Sequence, residues 1–281
     1  MNENILNVSG LKVKIGKKTI LDGIDAGFSK GECVLIAGAN GAGKSTFLKC
    51  LAGVILPDRG EVRYADGIGP KQIGFISDRL SLFENYSVKQ GIDFHTRVFG
   101  IENFDATLIE ELRFDPAQKI KHLSAGERTL FNLSLVWSQQ PRVLLIDEII
   151  HVIDPFLRDK FLEAVIDLMD RCGTTVFMVN HTFSEIEKIP ERVLVMADGR
   201  FIVDEKSEVL AAKLKKVISN AEIPGEVPHI YSKAAAGTRE YYVYPFSPEL
   251  RERFPLEYID VDLNEIIKAY IGGQYVQKRM A

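Results

Sequence analysis

A chain of 281 residues with 46% hydrophobic and 26% charged side chains has the composition of a soluble globular protein, one large domain or one domain with an appendage. Its net charge of -4 excludes bulk attraction to nucleic acid or to an acidic membrane surface, and no run approaches the roughly 20 apolar residues needed to span a bilayer. The N-terminus lacks the form of a signal peptide, and Cys33, Cys50 and Cys172 lie far apart in apolar stretches without metal-ligand spacing, which fits buried free thiols in a reducing compartment.

Residues 5–37 are expected to form short strands over 5–13, 19–21, 27–28 and 33–37, with turns at Lys17-Lys18 and at Ser29-Lys-Gly31. The last strand is the apolar run Val34-Leu-Ile-Ala37. It leads into Gly38-Ala-Asn40-Gly41-Ala-Gly43-Lys44-Ser45-Thr46, and Phe47, Leu48 and Leu51 follow at the spacing of one helix face. A glycine, four residues and then glycine-lysine-serine is the form of a phosphate-binding loop. Glycines let the backbone turn tightly, so that several N–H groups converge on one anion, and the helix that begins there adds its positive dipole end. Lys44 has the length to reach the outer phosphates, and the Ser45 hydroxyl suits a magnesium ion.

Beyond this helix, turns at Pro57-Asp-Arg-Gly60 and Ala65-Asp-Gly67 flank a strand over 61–64, and 73–76 is a further strand. From about 84 to 140 the pattern is helical. Ser87-Val-Lys-Gln90 forms a capping box, Ile92, His95 and Phe99 share one face, and shorter helices are expected near 105–112 and over 130–137. Strand character returns at 143–146, followed by a helix from 156 to about 171 that Gly173 ends. A strand at 175–179, a helix at 184–188 and strands at 193–196 and 200–203 complete the series. Strands alternating with helices imply crossover connections and a mainly parallel sheet. Past Glu205 a helix is expected over 208–216 and a break at 224–228. Paired strands at 229–231 and 240–244 precede a helix opened by Ser247 and a last helix, capped by Asp262, that ends before Gly272. This divides the chain into a domain over 1–205, with a helical insert at about 84–140, and a small α+β appendage over 206–281.

The strand at 143–146 ends in Asp147-Glu148. Beside a phosphate loop, Asp147 is placed to hold magnesium through water and Glu148 to polarise the attacking water, and phosphoryl transfer needs little else than positioning and charge neutralisation. Shortly before it lies Leu123-Ser124-Ala125-Gly126-Glu127-Arg128. With this segment the chain resembles the ATP-binding cassette (ABC) ATPases, which carry leucine-serine-glycine-glycine-glutamine between phosphate loop and acidic strand. Ser124 and Glu127 also form a capping box, and a capped helix N-terminus is itself an anion site. Ile153-Asp154 resembles the family's dimer-interface loop, and His181, after the strand at 175–179, resembles its switch histidine.

Over about residues 5–205 the resemblance implies a P-loop α/β fold with a mainly parallel sheet, an antiparallel β subdomain and a helical insert. It implies a two-fold dimer that closes on two ATP with Mg2+. Gly38, Asn40, Gly41, Gly43, Lys44, Ser45 and Thr46 would bind nucleotide in one copy, and Glu148 and His181 would serve catalysis. Ser45, Asp78 and Asp147 would hold the metal, while Ser124, Ala125, Gly126, Glu127 and Asp154 would come from the partner copy. Ala125 replaces the signature's first glycine and Glu127 its glutamine; Asp78 stands where the family has a metal-sensing glutamine. Ile15 replaces an aromatic under the adenine, which implies weak nucleobase selectivity. Permease subunits would be partners, with Leu80, Leu82 and Phe83 as contacts, and the chain would be cytoplasmic and peripheral on the inner face of the membrane. The stretch from Asp262 to Gly272 resembles the tail of bacterial drug, antibiotic-peptide and polymer exporters. The rival reading is a soluble ABC ATPase acting on nucleic acid, ribosomes or protein assembly. Against it, residues 205–281 carry 11 basic and 11 acidic side chains and thus no basic face, so no nucleic-acid partner is expected.

Overall fold

The computed structural model describes residues 4–77, 84–149, 153–180, 189–235 and 237–280. Asp78, the Leu80–Phe83 contact segment, His181 and the helix expected at 184–188 lie outside them.

The core is a six-stranded sheet. β3 (Cys33–Gly38), β5 (Ile73–Ser77), β6 (Val143–Asp147), β7 (Thr175–Val179), β8 (Arg192–Ala197) and β9 (Arg200–Lys206) stand in the order β5-β6-β7-β3-β8-β9. All neighbours are parallel except β8 and β9, which form a hairpin across the turn at Asp198-Gly199. Every residue of β3, β6 and β7 is buried, the mark of strands covered on both faces.

Alternation along these strands sorts their side chains into two cores. Val34, Ile36, Val143, Leu145, Phe177 and Leu194 face one way. They pack against α1 (Lys44–Leu51) and against a three-stranded antiparallel sheet of β1 (Asn4–Ile15), β2 (Lys18–Ser29) and β4 (Arg59–Tyr64), in the order β2-β1-β4. The short strands expected at 19–21 and 27–28 are parts of the single strand β2. Its pairing with β1 absorbs four register shifts, which blur the alternation a continuous strand would otherwise display.

Leu35, Leu144, Ile146, Val176, Met178, Val193 and Val195 face the other way. They meet the helical segment of α2 (Val88–Phe99), α3 (Thr107–Glu111) and α4 (Ala125–Gln139), together with α5 (Pro155–Cys172). Both expected capping boxes form, Ser87 with Gln90 at α2 and Ser124 with Glu127 at α4. Gly173 ends α5 in the left-handed conformation.

The C-terminal region departs from expectation at two places. α6 (Ser207–Lys213) stops short of 216, because Lys215 and Lys216 already belong to β10 (Lys215–Ser219). β10 lies between β12 (Thr238–Val243) and β13 (Ile259–Asp260), and β11 (His229–Ala235) completes the order β11-β12-β10-β13. α7 (Pro248–Arg253) follows the cap at Ser247. α8 (Leu263–Met280) does not end before Gly272 but runs through it. A Cβ on Gly272 would meet the Tyr231 ring at 2.8 Å, and one on Gly273 would meet the Ile230 carbonyl oxygen at 2.4 Å. These two glycines let α8 lie directly on β11; they are contact points rather than a stop. Leu263, Ile266, Ile267 and Ala269 of α8 join the same core as Leu35, Val193 and Val195, so part of the C-terminal region covers the main sheet.

Candidate nucleotide site

The loop after β3 and the end of β6 meet at the carboxyl edge of the parallel sheet, where ligands of open α/β sheets bind. Gly43 precedes α1 with φ of 112°, a conformation closed to other residues. A Cβ there would also meet the Ile20 carbonyl oxygen at 2.9 Å. Lys44 is 3% exposed, and its ammonium donates to the carbonyl oxygens of Gly38 at 3.0 Å and Ala39 at 3.1 Å. The Glu148 carboxylate lies 3.8 Å away. Burial lowers the Lys44 pKa, and the neighbouring Glu148 and Asp147 carboxylates oppose that shift. A buried ammonium held by loop carbonyls is pre-positioned for phosphate oxygens.

The Ser45 hydroxyl donates to Asp147 Oδ1 at 2.9 Å. A hydroxyl and a buried carboxylate in contact are a hard-oxygen donor pair that fits Mg2+, which takes few protein ligands and fills its octahedron with phosphate and water. Glu148 has φ of 52°, and its N–H donates to the Val179 carbonyl at 3.0 Å. That bond ties its left-handed backbone to the end of β7. The result is a cavity of about 380 Å³ lined by Lys18, Ile20, Asn40, Gly41, Gly43, Lys44, Ser45, Thr46 and Glu148.

The other expected group stands elsewhere. Ser124 Oγ accepts the Glu127 N–H at 3.2 Å and the Glu127 carboxylate accepts the Ser124 N–H at 2.7 Å. Asp154 caps α5 by accepting the Leu157 N–H at 3.1 Å. A Cβ on Gly126 would meet Leu157 Cδ1 at 3.0 Å and Asp154 Oδ2 at 3.7 Å, so the two motifs form one patch. None of Ser124, Ala125, Gly126, Glu127 and Asp154 is among the residues that line the Lys44 cavity. Lys18, expected in a turn, and Ile20 both belong to β2 and line the cavity. No local signal marks either residue, because their place in the lining depends on how β2 folds back over the loop.

A parallel sheet with a phosphate loop and an acidic strand end at its carboxyl edge defines a P-loop nucleotide hydrolase. Residues 21–151 match the family described as "ABC transporter". The chain is 32% identical over 204 residues to the aliphatic sulfonates import ATP-binding protein SsuB 1 of Nocardia farcinica, covering 71% of this chain and 80% of that one. It is 30% identical over 213 residues to the Fe(3+) ions import ATP-binding protein FbpC of Streptomyces coelicolor, covering 71% of this chain and 61% of that protein's length. It is 27% identical over 226 residues to the Nod factor export ATP-binding protein I of Paraburkholderia xenovorans, covering 75% and 74%. A solved ATP-binding subunit of an ABC transporter superposes with a TM-score of 0.66 at 20% identity, over 73% of this chain and 91% of that one. The chain belongs to the ABC family as an ATP-binding transporter subunit, and its chemistry is that of an ATPase. Among the described residues no helix is long and apolar enough to cross a membrane.

Proposed function

We propose that this chain hydrolyses ATP within a two-fold dimer and drives a separate membrane subunit that exports its substrate. The observation that supports the dimer is the division of the expected site. Lys44, Ser45 and Glu148 line one cavity with Asp147 behind it, bonded to the Ser45 hydroxyl, while Ser124, Gly126 and Asp154 share a patch outside the lining. A two-fold pairing offers the patch of one copy to the cavity of the other, and makes both sites equivalent.

Each side chain has a role that its geometry suits. Lys44 exchanges a loop carbonyl for an outer phosphate oxygen. Ser45 and Asp147 would hold Mg2+, whose charge would offset that of the phosphates. Glu148, half-buried in the cavity lining, accepts a proton from the attacking water. The α4 N-terminus of the partner turns backbone donors toward the terminal phosphate. The Glu127 carboxylate already accepts one of these donors, so closure works against its charge. Asp78 and His181, as metal ligand and phosphate sensor, complete the proposed site.

Subunit complementation tests the division. Lys44→Ala and Ser124→Arg chains should each be inactive in phosphate release. Mixed, they should regain roughly a quarter of wild-type activity, since half the dimers are mixed and each has one intact composite site. Mixtures as inactive as their components would overturn the reading.

Relatives named for import and for export both match the cassette, so the support for export lies elsewhere. It comes from the resemblance of residues 262–272 to exporter tails. A six-span membrane protein that co-purifies with the chain would support export, and co-purification of a solute-binding protein would overturn it. The proposed place of the chain is the inner face of the cell membrane, and nucleic acid is not a proposed partner.

A further inference from the structure

The cavity around Lys44 has a second wall. Lys18 and Ile20, two residues apart on β2, both line it, and alternation along a strand puts them on one face. Ile15 pairs directly with Lys18 in the β1–β2 ladder, so it shares that face, and it is 59% exposed. This wall is held against the loop. A Cβ on Gly43 would meet Leu21 Cδ2 at 2.8 Å, a contact that leaves no room for the strand to approach further.

A triphosphate seated on residues 40–46 leaves its nucleoside to the rest of the lining. Apart from Glu148, the lining side chains outside the loop are Lys18 and Ile20, and none is aromatic. Among the described residues of this lining, the base therefore meets aliphatic surface and one ammonium rather than an aromatic ring. Among the described residues, no hydrogen bond or ion pair engages the Lys18 ammonium. An ammonium only donates. Guanine presents two adjacent acceptors, N7 and O6, whereas adenine presents N7 beside an amino group that is itself a donor. The Lys18 donor is matched twice by guanine and once by adenine.

We infer that Lys18 reads the nucleobase in this site, and that through it the chain accepts GTP at least as well as ATP. The inference rests on the nucleotide-site reading above and adds to it the residue that sets base preference.

Steady-state hydrolysis of ATP, GTP and ITP by the purified full-length chain tests it, with Lys18→Ala, Lys18→Arg and Lys44→Ala variants. ITP keeps N7 and O6 and lacks the guanine amino group. Wild type should show kcat/KM for GTP and ITP equal to or above that for ATP. Lys18→Ala should lower GTP and ITP by about tenfold and ATP by less than about threefold, and Lys18→Arg should keep the wild-type ratio of GTP to ATP. An equal fall for all three would make Lys18 a phosphate contact and overturn the inference. No change would make it a solvated lysine and overturn the inference equally, as would a tenfold wild-type preference for ATP. The two readings fail separately. If no triphosphate is hydrolysed, or hydrolysis is indifferent to Lys44→Ala, the nucleotide site itself is wrong. If hydrolysis of all three depends on Lys44 and Lys18→Ala treats them alike, only the base-reading inference falls.

Discussion

Glu148 occupies the left-handed region at φ 52°, a conformation that costs a non-glycine residue on the order of 1 kcal/mol. The hydrogen bond from its N–H to Val179 holds it there, and the carboxylate is thereby fixed 3.8 Å from the Lys44 ammonium. Strain maintained at this point favours a working role over a packing one. Glu148→Gln keeps the shape and removes the proton acceptor, so phosphate release should fall about 100-fold or more while ATP binding persists. Equal rates for the two proteins would remove Glu148 from catalysis. Ser45→Ala removes one hard-oxygen donor, and the magnesium concentration needed for half-maximal hydrolysis should rise about tenfold at constant ATP. An unshifted magnesium titration would place the ion elsewhere. At this scale most of the site is legible in the sequence, because phosphate chemistry dictates residue types at fixed local spacing. Lys18 and Ile20 are not legible in that way. Their place in the cavity depends on how β2 folds back over the loop, and no local pattern encodes that.

At the scale of elements, caps and buried runs are legible for the same reason: each is a short-range physical demand. The end of α8 is not. Glycine signals a helix stop locally, but Gly272 and Gly273 answer a tertiary demand, the close approach of β11. Gly273→Ala should destabilise the protein by about 1–3 kcal/mol in urea unfolding, since its Cβ would meet a backbone oxygen at 2.4 Å that cannot rotate away. Gly225→Ala, with nothing within 4 Å of the added Cβ, should be near neutral. α2 carries a second tertiary demand. His95 is buried and stacked on Phe99 with ring centroids 4.3 Å apart, and burial pushes its pKa down to about 4, partly offset by a hydrogen bond with the Leu135 backbone. The unfolded chain therefore takes up the proton first as pH falls. The stability from a neutral His95 is complete above about pH 6.5 and is lost progressively toward pH 4. Unfolding free energies measured at steps across that window should fall more steeply for wild type than for His95→Gln. Parallel curves would refute the assignment.

For the whole molecule, the central expectation is nucleotide-driven closure. In the proposed dimer ATP should bind the closed pair better than the open one, and blocking hydrolysis should preserve the closed state. Glu148→Gln with ATP and magnesium should elute as a dimer by size exclusion with light scattering, and the same protein without nucleotide should elute as a monomer. A monomer under both conditions would overturn the two-fold site. The parallel order of the core sheet follows from the alternation of strands and helices, and so it is legible; the cover on one face of it is not. Leu35, Val193 and Val195 share their core with Ile266, Ile267 and Ala269, from the far end of the chain. While this protein emerges from the ribosome, the nascent cassette thus keeps an oily flank open until synthesis has passed α8. During that interval the half-built subunit is a natural client for a chaperone, and a premature stop codon before α8 would yield a sticky fragment rather than a smaller working enzyme.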